Sequence, residues 1–433
     1  MLIQKTRNFL KKKKITDFMV YGIGQAVNII SPLLITPYLI YICGLENLGI
    51  IALGQSFAFI LIVLVDYSSY IIGVKDVSIN RDNPIALENI FTTIYASKLL
   101  LFIVVSILTF FMLFFIPYFN KNVTVLFFSF SIIIGQFINP TWFFQGVENF
   151  KWISIINVLS KIIYVLGVFI FIKKQEDYVF ANLLLGIGAI LANLLGLFYI
   201  LSKYQFSFKS ISLANIKKLL VNDFSFCISQ FFFAVRNYSS VMIIGFFAGN
   251  YIAGQFKVID QIINLLRTYL QMFFKFSYSY VCFEIDKNLS KGIQLWKKFN
   301  GYNFVLLTFI LLLLFVFSEY VLKFFRVDKQ IFNLLENYLH IALLIPLLTG
   351  ITLPLEQLIF SLNKNKQYIA LTMASTTINL IVMSLLMSFF GLFQVFFLLI
   401  ITEGMLISIY FTLLKPYFTK AKMELITNKN TPN

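Results

Sequence analysis

Apolar residues fall in twelve long stretches along this chain, parted by short polar gaps whose positive charge alternates. A helix needs about 20 apolar residues to cross a bilayer, and twelve such helices use most of the 433 residues. Of the 35 Lys and Arg, 23 lie before the first stretch, in every second gap and in the tail, against 6 in the intervening gaps. Retained positive charge marks the cytoplasmic side of a membrane protein. The pattern predicts an all-α polytopic membrane protein with twelve transmembrane helices and both termini cytoplasmic. A wrong helix count would scramble the alternation, so the charge bias supports the count.

The longest polar gap near the middle, 202–217, divides the stretches six and six. This predicts an N-terminal lobe, 1–210 with helices 1–6, and a C-terminal lobe, 211–433 with helices 7–12. Gly44 and Gly49 bracket the first outer turn, and Gly249 and Gly254 bracket the turn after the seventh stretch. Glycine suits a turn that needs positive φ. A second echo places Glu148 to Lys151 and Lys364 to Gln367 in short inner turns. Two echoes at similar offsets favour duplication. With six helices per half, the halves are parallel repeats about an axis along the membrane normal, an arrangement suited to alternating access.

Composition narrows the class. Hydrophobic residues make up 59% and charged residues 12%, with mean hydropathy +0.85, whereas soluble domains carry about 25% charged residues. The net charge of +16 follows from cytoplasmic retention and anionic lipid, so no nucleic-acid partner is expected. Cys43, Cys227 and Cys282 have no paired spacing, which supports neither a metal site nor a disulfide framework. The first stretch, 19–42, is too long for a cleaved signal core. The basic segment from Lys5 to Lys14 is either a surface helix or a solvated topology anchor.

Charged groups inside apolar stretches cost roughly 2.5–3.5 kcal/mol each on insertion scales, so they mark candidate sites. In the eighth stretch Lys257, Asp260, Gln261, Asn264, Arg267, Thr268, Gln271 and Lys275 recur at steps of three or four. At about 100° per residue they share an arc of roughly 120°. A packed polar seam is the plainer alternative, with the end lysines snorkelling outward. Arg267, mid-helix beside two amides, points instead to a solvated, basic cavity. Fainter stripes lie elsewhere: Gln25, Asn28, Pro32 and Thr36; Gln55 and Asp66; Asn157, Lys161 and Tyr164; Asp223, Gln230 and Asn237 with Arg236.

The candidate substrate-binding cations are thus Arg236, Lys257, Arg267, Lys275 and Lys161. The candidate polar lining is Gln25, Asn28, Gln55, Asp66, Gln230, Asn237, Asp260, Asn264 and Gln271. For ion coupling the candidates are Asp66, Glu336, His340 and Glu356, with His340 the single histidine. A satisfied packing pair is the plainer reading of Glu336 and His340. Glu403 has no evident partner in the sequence. No catalytic constellation and no Walker A motif occur, so an enzyme and an ATPase are not expected.

Three segments resemble the O-antigen and polysaccharide flippases of the Wzx type. The first is 140–148, with Pro140, Trp142, Gln145, Gly146 and Glu148. The second has Gly22, Gln25, Pro32, Pro37, Tyr38 and Leu39. The third has Val65, Asp66 and Tyr67, then Val74, Asp76, Arg81 and Asp82. It departs from the family pattern at Ser68, where a glycine is usual. The resemblance is specific over about 1–170 and architectural over 211–433. It implies a member of the multidrug/oligosaccharidyl-lipid/polysaccharide (MOP) exporter superfamily with a MATE-like fold, two six-helix lobes around a central cavity.

The implied activity is movement of an undecaprenyl-diphosphate-linked oligosaccharide, for O-antigen or a related polysaccharide, to the periplasmic leaflet of the bacterial inner membrane. The implied partners are that lipid-linked glycan, membrane lipids, a polysaccharide polymerase and a chain-length regulator. No cofactor is implied beyond coupling to H+, Na+ or membrane potential. The basic, amide-rich stripe suits a diphosphate and sugar hydroxyls independently. A cation-coupled multidrug exporter would need an acidic cavity, whereas Arg236, Lys257, Arg267 and Lys275 outnumber Asp223 and Asp260. A membrane glycan polymerase or ligase would need a large outer loop, and the outer gaps are short.

Overall fold

In the computed structural model, residues 2–207, 211–362 and 364–430 are described. Side chains before Gly22, including those of the basic segment 5–14, those of Ile23, Phe276, Ser279 and Asn365, and those of 425–430 lie outside the described set, as does Lys209. The described residues are helical almost throughout, and no strand occurs among them.

The first helix, α1 (Leu2–Asp66), keeps helical dihedrals through Pro32 and Pro37 and breaks at Gly44, with φ 81 and ψ 170. A π-helical turn (Ser69–Gly73) and α2 (Val74–Ile79) follow. Next come α3 (Pro84–Phe115), α4 (Pro117–Asn120), α5 (Val123–Ile138) and α6 (Thr141–Gly146). Asn83 starts α3 by accepting from the Ala86 N–H, with Pro84 in the first turn. After α7 (Phe150–Phe171) and a 3-10 turn (Gln175–Val179) come α8 (Phe180–Tyr204), α9 (Leu213–Ala248) and α10 (Asn250–Lys287). The remainder is α11 (Leu289–Val316), α12 (Ser318–Phe324), α13 (Phe332–Ala342), α14 (Leu344–Ser361), α15 (Asn365–Phe389) and α16 (Leu392–Asn430).

Among the described residues, ten helical spans are long and apolar enough to cross a membrane. The first, Gly24–Asp66, has 43 residues and divides at Gly44. The 38-residue α10 is not among the ten, because its polar stripe lowers its hydropathy. Dividing the one and adding the other is consistent with twelve. Leu99, Ile103, Ile107, Phe111 and Phe114 of α3 are exposed, as are Val305, Phe309, Leu312 and Val316 of α11. Long helices that expose apolar faces to this extent are built for contact with lipid. The protein is a multi-pass membrane protein.

The chain forms two compact units, Met1–Gly254 and Gln255–Asn433. In the first, α8 packs on α5 and α7, and α1 packs on α5, α7 and α9. One end of this unit is an aromatic core of Phe91, Tyr95, Trp142, Phe143 and Phe144, all buried. The α9 helix, which follows the expected lobe boundary at 210, contacts α1 within this unit. Phe59 meets Tyr238 at 5.1 Å between ring centroids, and the Tyr67 hydroxyl donates to the Leu220 carbonyl.

The two glycine turns interlock reciprocally. Gly44 and Gly249 both have positive φ, 81° and 86°, as their spacing suggested. A Cβ on Gly49 would lie 1.9 Å from the Asn250 carbonyl oxygen, and one on Gly254 would lie 1.9 Å from the Leu45 carbonyl oxygen. Each second glycine thus receives the carbonyl that follows the other turn's first glycine. This two-way fit gives the sequence echo a physical reason. Gly49→Val and Gly254→Val should each force backbone apart from backbone. Overpacking of this kind costs about 1–3 kcal/mol, and thermal unfolding in detergent should show it. Unchanged melting in both variants would mean that the turns do not touch.

The second unit is built on α14 and α16. Leu355, Leu358 and Ile359 share a core with Leu406, Tyr410 and Leu414. The Trp296 indole donates to the Pro354 carbonyl at 2.9 Å, tying α11 to α14. Gln357, fully buried, donates to Ser277 Oγ at 2.8 Å and to the Phe274 carbonyl at 3.2 Å, which ties α14 to α10.

Candidate functional site

Four residues of the polar stripe of α10 are linked in order by an ion pair and hydrogen bonds. Lys257 Nζ stands 3.6 Å from Asp260 Oδ2. Asn264 donates to the same carboxylate at 2.8 Å, and Arg267 Nη1 reaches Asn264 Oδ1 at 3.5 Å. Asp260 and Gln261 are buried; Lys257, Asn264 and Arg267 are half-buried; Gln271 and Lys275 are exposed. On the helix's other flank, Tyr269 donates to Asn303 Oδ1 of α11. The charges are therefore unequal. Asp260 matches Lys257, whereas no carboxylate among the described residues pairs with Arg267. Its positive charge is held by an amide, which leaves guanidinium donors for a ligand.

In the first unit, Gln25, Asn28 and Gln55 of α1 are half-buried, as are Gln230, Arg236 and Asn237 of α9. The Asn237 amide donates back to the Phe233 carbonyl at 2.9 Å. Lys161 Nζ lies 6.0 Å from the centroid of the Tyr164 ring, within cation–π range. Asp223 is buried and accepts from the Ser68 hydroxyl.

Asp66 has a partner that sequence reasoning missed. Lys98 Nζ is 3.0 Å from Asp66 Oδ1, with the lysine side chain 2% exposed and the aspartate 15%. Lys98 also donates to the Gln136 carbonyl at 3.2 Å, and the Gln136 amide donates to Asp66. Asn139 donates to the Tyr70 hydroxyl at 2.7 Å, and that hydroxyl meets Thr141 Oγ1 at 2.9 Å. The Asp66 end of α1, α3, α5 and the start of α6 are thus joined by one polar network. The missed signal was available: beyond Glu88, Lys98 is the one charged residue of α3, and a lone intramembrane charge requires a partner.

Residues 15–282 match the family described as polysaccharide biosynthesis protein, more than half of the chain. The chain belongs to the polysaccharide biosynthesis protein family. The match takes in α10 almost whole and all five candidate cations, and ends before Glu336, His340 and Glu356. A protein of Escherichia coli (strain K12), named as a candidate O-antigen transporter, is 26% identical over 277 residues, 64% of this chain and 67% of its own length. A Shigella dysenteriae protein of the same description is 23% identical over 253 residues, 58% of this chain and 62% of its own length.

The fold is that of the MATE transporters of the MOP superfamily. The inward-facing conformation of a multidrug resistance MATE family transporter superposes with a TM-score of 0.60 at 14% identity, covering 93% of this chain and 95% of that one. A complex of the MATE multidrug transporter DinF-BH gives 0.61 at 16% identity, covering 92% and 94%.

The remaining candidates of this family member separate into two places. Glu336 and His340 of α13 do not touch directly. Ser318 bridges them, donating to Glu336 Oε1 at 2.6 Å and lying 3.0 Å from His340 Nε2. His340 also stacks near Phe315, with ring centroids 4.2 Å apart. Glu356 sits apart in α14, buried, with Tyr410 donating to it at 3.5 Å. Glu403 does have a partner: the Thr352 hydroxyl donates to its Oε2 at 2.7 Å across the α14–α16 contact. A threonine hydroxyl one turn before Glu356 is too common a residue to stand out in a sequence.

Proposed function

We propose that the chain is a flippase for an undecaprenyl-diphosphate-linked oligosaccharide of O-antigen or a related polysaccharide. It moves this lipid from the cytoplasmic to the periplasmic leaflet of the inner membrane by alternating access, with lobes 1–210 and 211–433 as the moving parts. The observation that carries the reading is Arg267, half-buried midway along the polar stripe of α10 and without a carboxylate partner among the described residues. A diphosphate is the complement of such a group, since arginine binds phosphate oxygens bidentately. Family membership and the description of the relatives support the glycan end of the substrate.

In the second unit Arg267, helped by Lys257 and Lys275, would hold the diphosphate; Arg236 and Lys161 are the candidate cations of the first unit. An inside-negative potential is worth about 2.3 kcal/mol per charge per 100 mV. It favours outward passage of the anionic headgroup and inward return of the emptied cationic site. Coupling to H+ or Na+ through Asp66, Glu336, His340 or Glu356 is the alternative to this purely electrical drive. A polysaccharide polymerase and a chain-length regulator would act on the delivered product.

Leaflet-specific labelling of lipid-linked glycan tests the function. Cells lacking the protein should retain the glycan in the leaflet where it is made, and proteoliposomes carrying the full chain should move it. Equal leaflet distributions with and without the chain would sink the reading. The orientation is tested separately. A reporter fused after Ser202 or Asn288 should read cytoplasmic, and one inserted near Asn250 periplasmic. A periplasmic signal at Asn288 contradicts the charge alternation.

A further inference from the structure

A cavity of about 430 Å3 opens in the first unit between Ser68, the π-helical turn, α2, α3 and the first turns of α9. None of the candidate cations of the proposed diphosphate site lines it. Its polar lining includes Asp76, Asn89, Asn215, Asn222 and Asp223, with Lys218 as its one basic group, beside isoleucine and leucine side chains.

The wall of this cavity is built by unusual backbone. Tyr67 has φ 54, in the left-handed region that a tyrosine rarely adopts. The chain then runs through the π-helical turn Ser69–Gly73. Strained residues and π-turns cluster at functional positions because the surrounding structure must hold them. Here two contacts do so: Tyr67 donates to the Leu220 carbonyl, and Ser68 donates to Asp223, which is 7% exposed. Ser68 is also the position that departs from the family's glycine. Burial, and then neighbouring Asp223, raise the Asp76 carboxyl above its ordinary value, with Lys75 opposing.

We propose that this cavity is a sugar-binding subsite for the glycan moiety, on the face that the basic gaps assign to the cytoplasm. The proposal rests on the reading of the chain as a lipid-linked oligosaccharide transporter. The volume lies within the range of small-molecule sites, about 300–1,000 Å3. Carboxylates and primary amides offer paired donors and acceptors in one plane, which match adjacent sugar hydroxyls. The isoleucine and leucine side chains suit the C–H face of a sugar ring. Two carboxylates against one ammonium oppose a phosphate, so the cavity takes a neutral or amino sugar. The diphosphate and the glycan would then be read at two different places, one basic and one acidic.

Saturation-transfer NMR on the full chain in lipid nanodiscs tests this. The probes are the methyl glycosides of glucose, N-acetylglucosamine and glucosamine, with inorganic pyrophosphate as competitor. Asn89 and Asn222 are exposed, so Asn89→Leu/Asn222→Leu should leave the fold intact, which an unchanged melting temperature verifies. The wild-type chain should bind the sugars without competition from pyrophosphate, and the double variant should bind them at least tenfold more weakly. Asn215→Leu, at another exposed lining position, should also weaken sugar binding, which gives a second check if the double variant unfolds. Sugar signals absent from wild type, equal in the double variant, or displaced by pyrophosphate overturn the subsite. Leaflet labelling separates the two failures. A chain that flips glycan but binds no sugar here keeps its function and loses the subsite. One that binds sugar here but flips nothing loses the function.

Discussion

Arg267→Ala should abolish glycan translocation, and Arg267→Lys should retain part of it. This half-buried residue lies on the polar stripe of α10, and its guanidinium is met by one amide oxygen at 3.5 Å. Losing one side of a desolvated charge pair costs about 2–5 kcal/mol, which is about 30-fold to several thousandfold in affinity. Lysine restores the charge but not the two-pronged geometry, so an intermediate rate is expected. Lys257→Ala should be milder, because Asp260 already stands 3.6 Å from that ammonium. Asp260→Asn releases Lys257 and should tighten binding of a diphosphate probe. Leaflet-specific labelling at matched expression measures the rates. Wild-type flipping by both Arg267→Ala and the Arg236→Ala/Arg267→Ala double variant would remove the clamp.

What was legible in the sequence follows from how far each interaction reaches along the chain. The apolar stretches and their alternating charges are local patterns, and so is the arc of α10. A rule of 100° per residue recovers Lys257, Asp260, Asn264 and Arg267 as neighbours without any tertiary knowledge, and the structure links those four in order. The glycine turns were also readable, because positive φ at Gly44 and Gly249 is a backbone requirement. Their reciprocal fit was not, since it depends on Gly49 meeting Asn250, a residue distant in the chain.

Partners of buried charges were the least readable. Asp66 and Lys98 are 32 positions apart, and nothing periodic connects them. The same holds for Ser68 with Asp223 and for Thr352 with Glu403. Ser68, in the turn after α1, and Thr352, within α14, are common hydroxyl residues whose role appears only when their elements meet α9 and α16. Glu336 and His340 were readable as one turn apart, but the residue between them in space, Ser318, comes from α12.

Lys98→Met should destabilise the protein by about 3–5 kcal/mol, the usual cost of leaving one member of a buried ion pair uncompensated. Asp66, 15% exposed, would then face an apolar side chain in place of the ammonium and keep the Gln136 amide as a donor. Asp66→Asn should cost about as much, since it leaves the Lys98 ammonium, 2% exposed, without a carboxylate. The double variant Lys98→Met/Asp66→Leu should recover most of the loss, because an apolar pair of similar volume often replaces a buried ion pair without penalty. Thermal unfolding of the purified chain in detergent gives the order of stabilities, and glycan flipping at matched folded amounts gives the role. Recovery of both stability and flipping assigns Asp66 to holding α1, α3 and α5 together. Recovery of stability with flipping still lost assigns it to ion coupling. The enclosed geometry, with Lys98 also bound to the Gln136 carbonyl at 3.2 Å, favours the first result: a lysine fixed to a backbone oxygen has little freedom to release the carboxylate during a transport cycle.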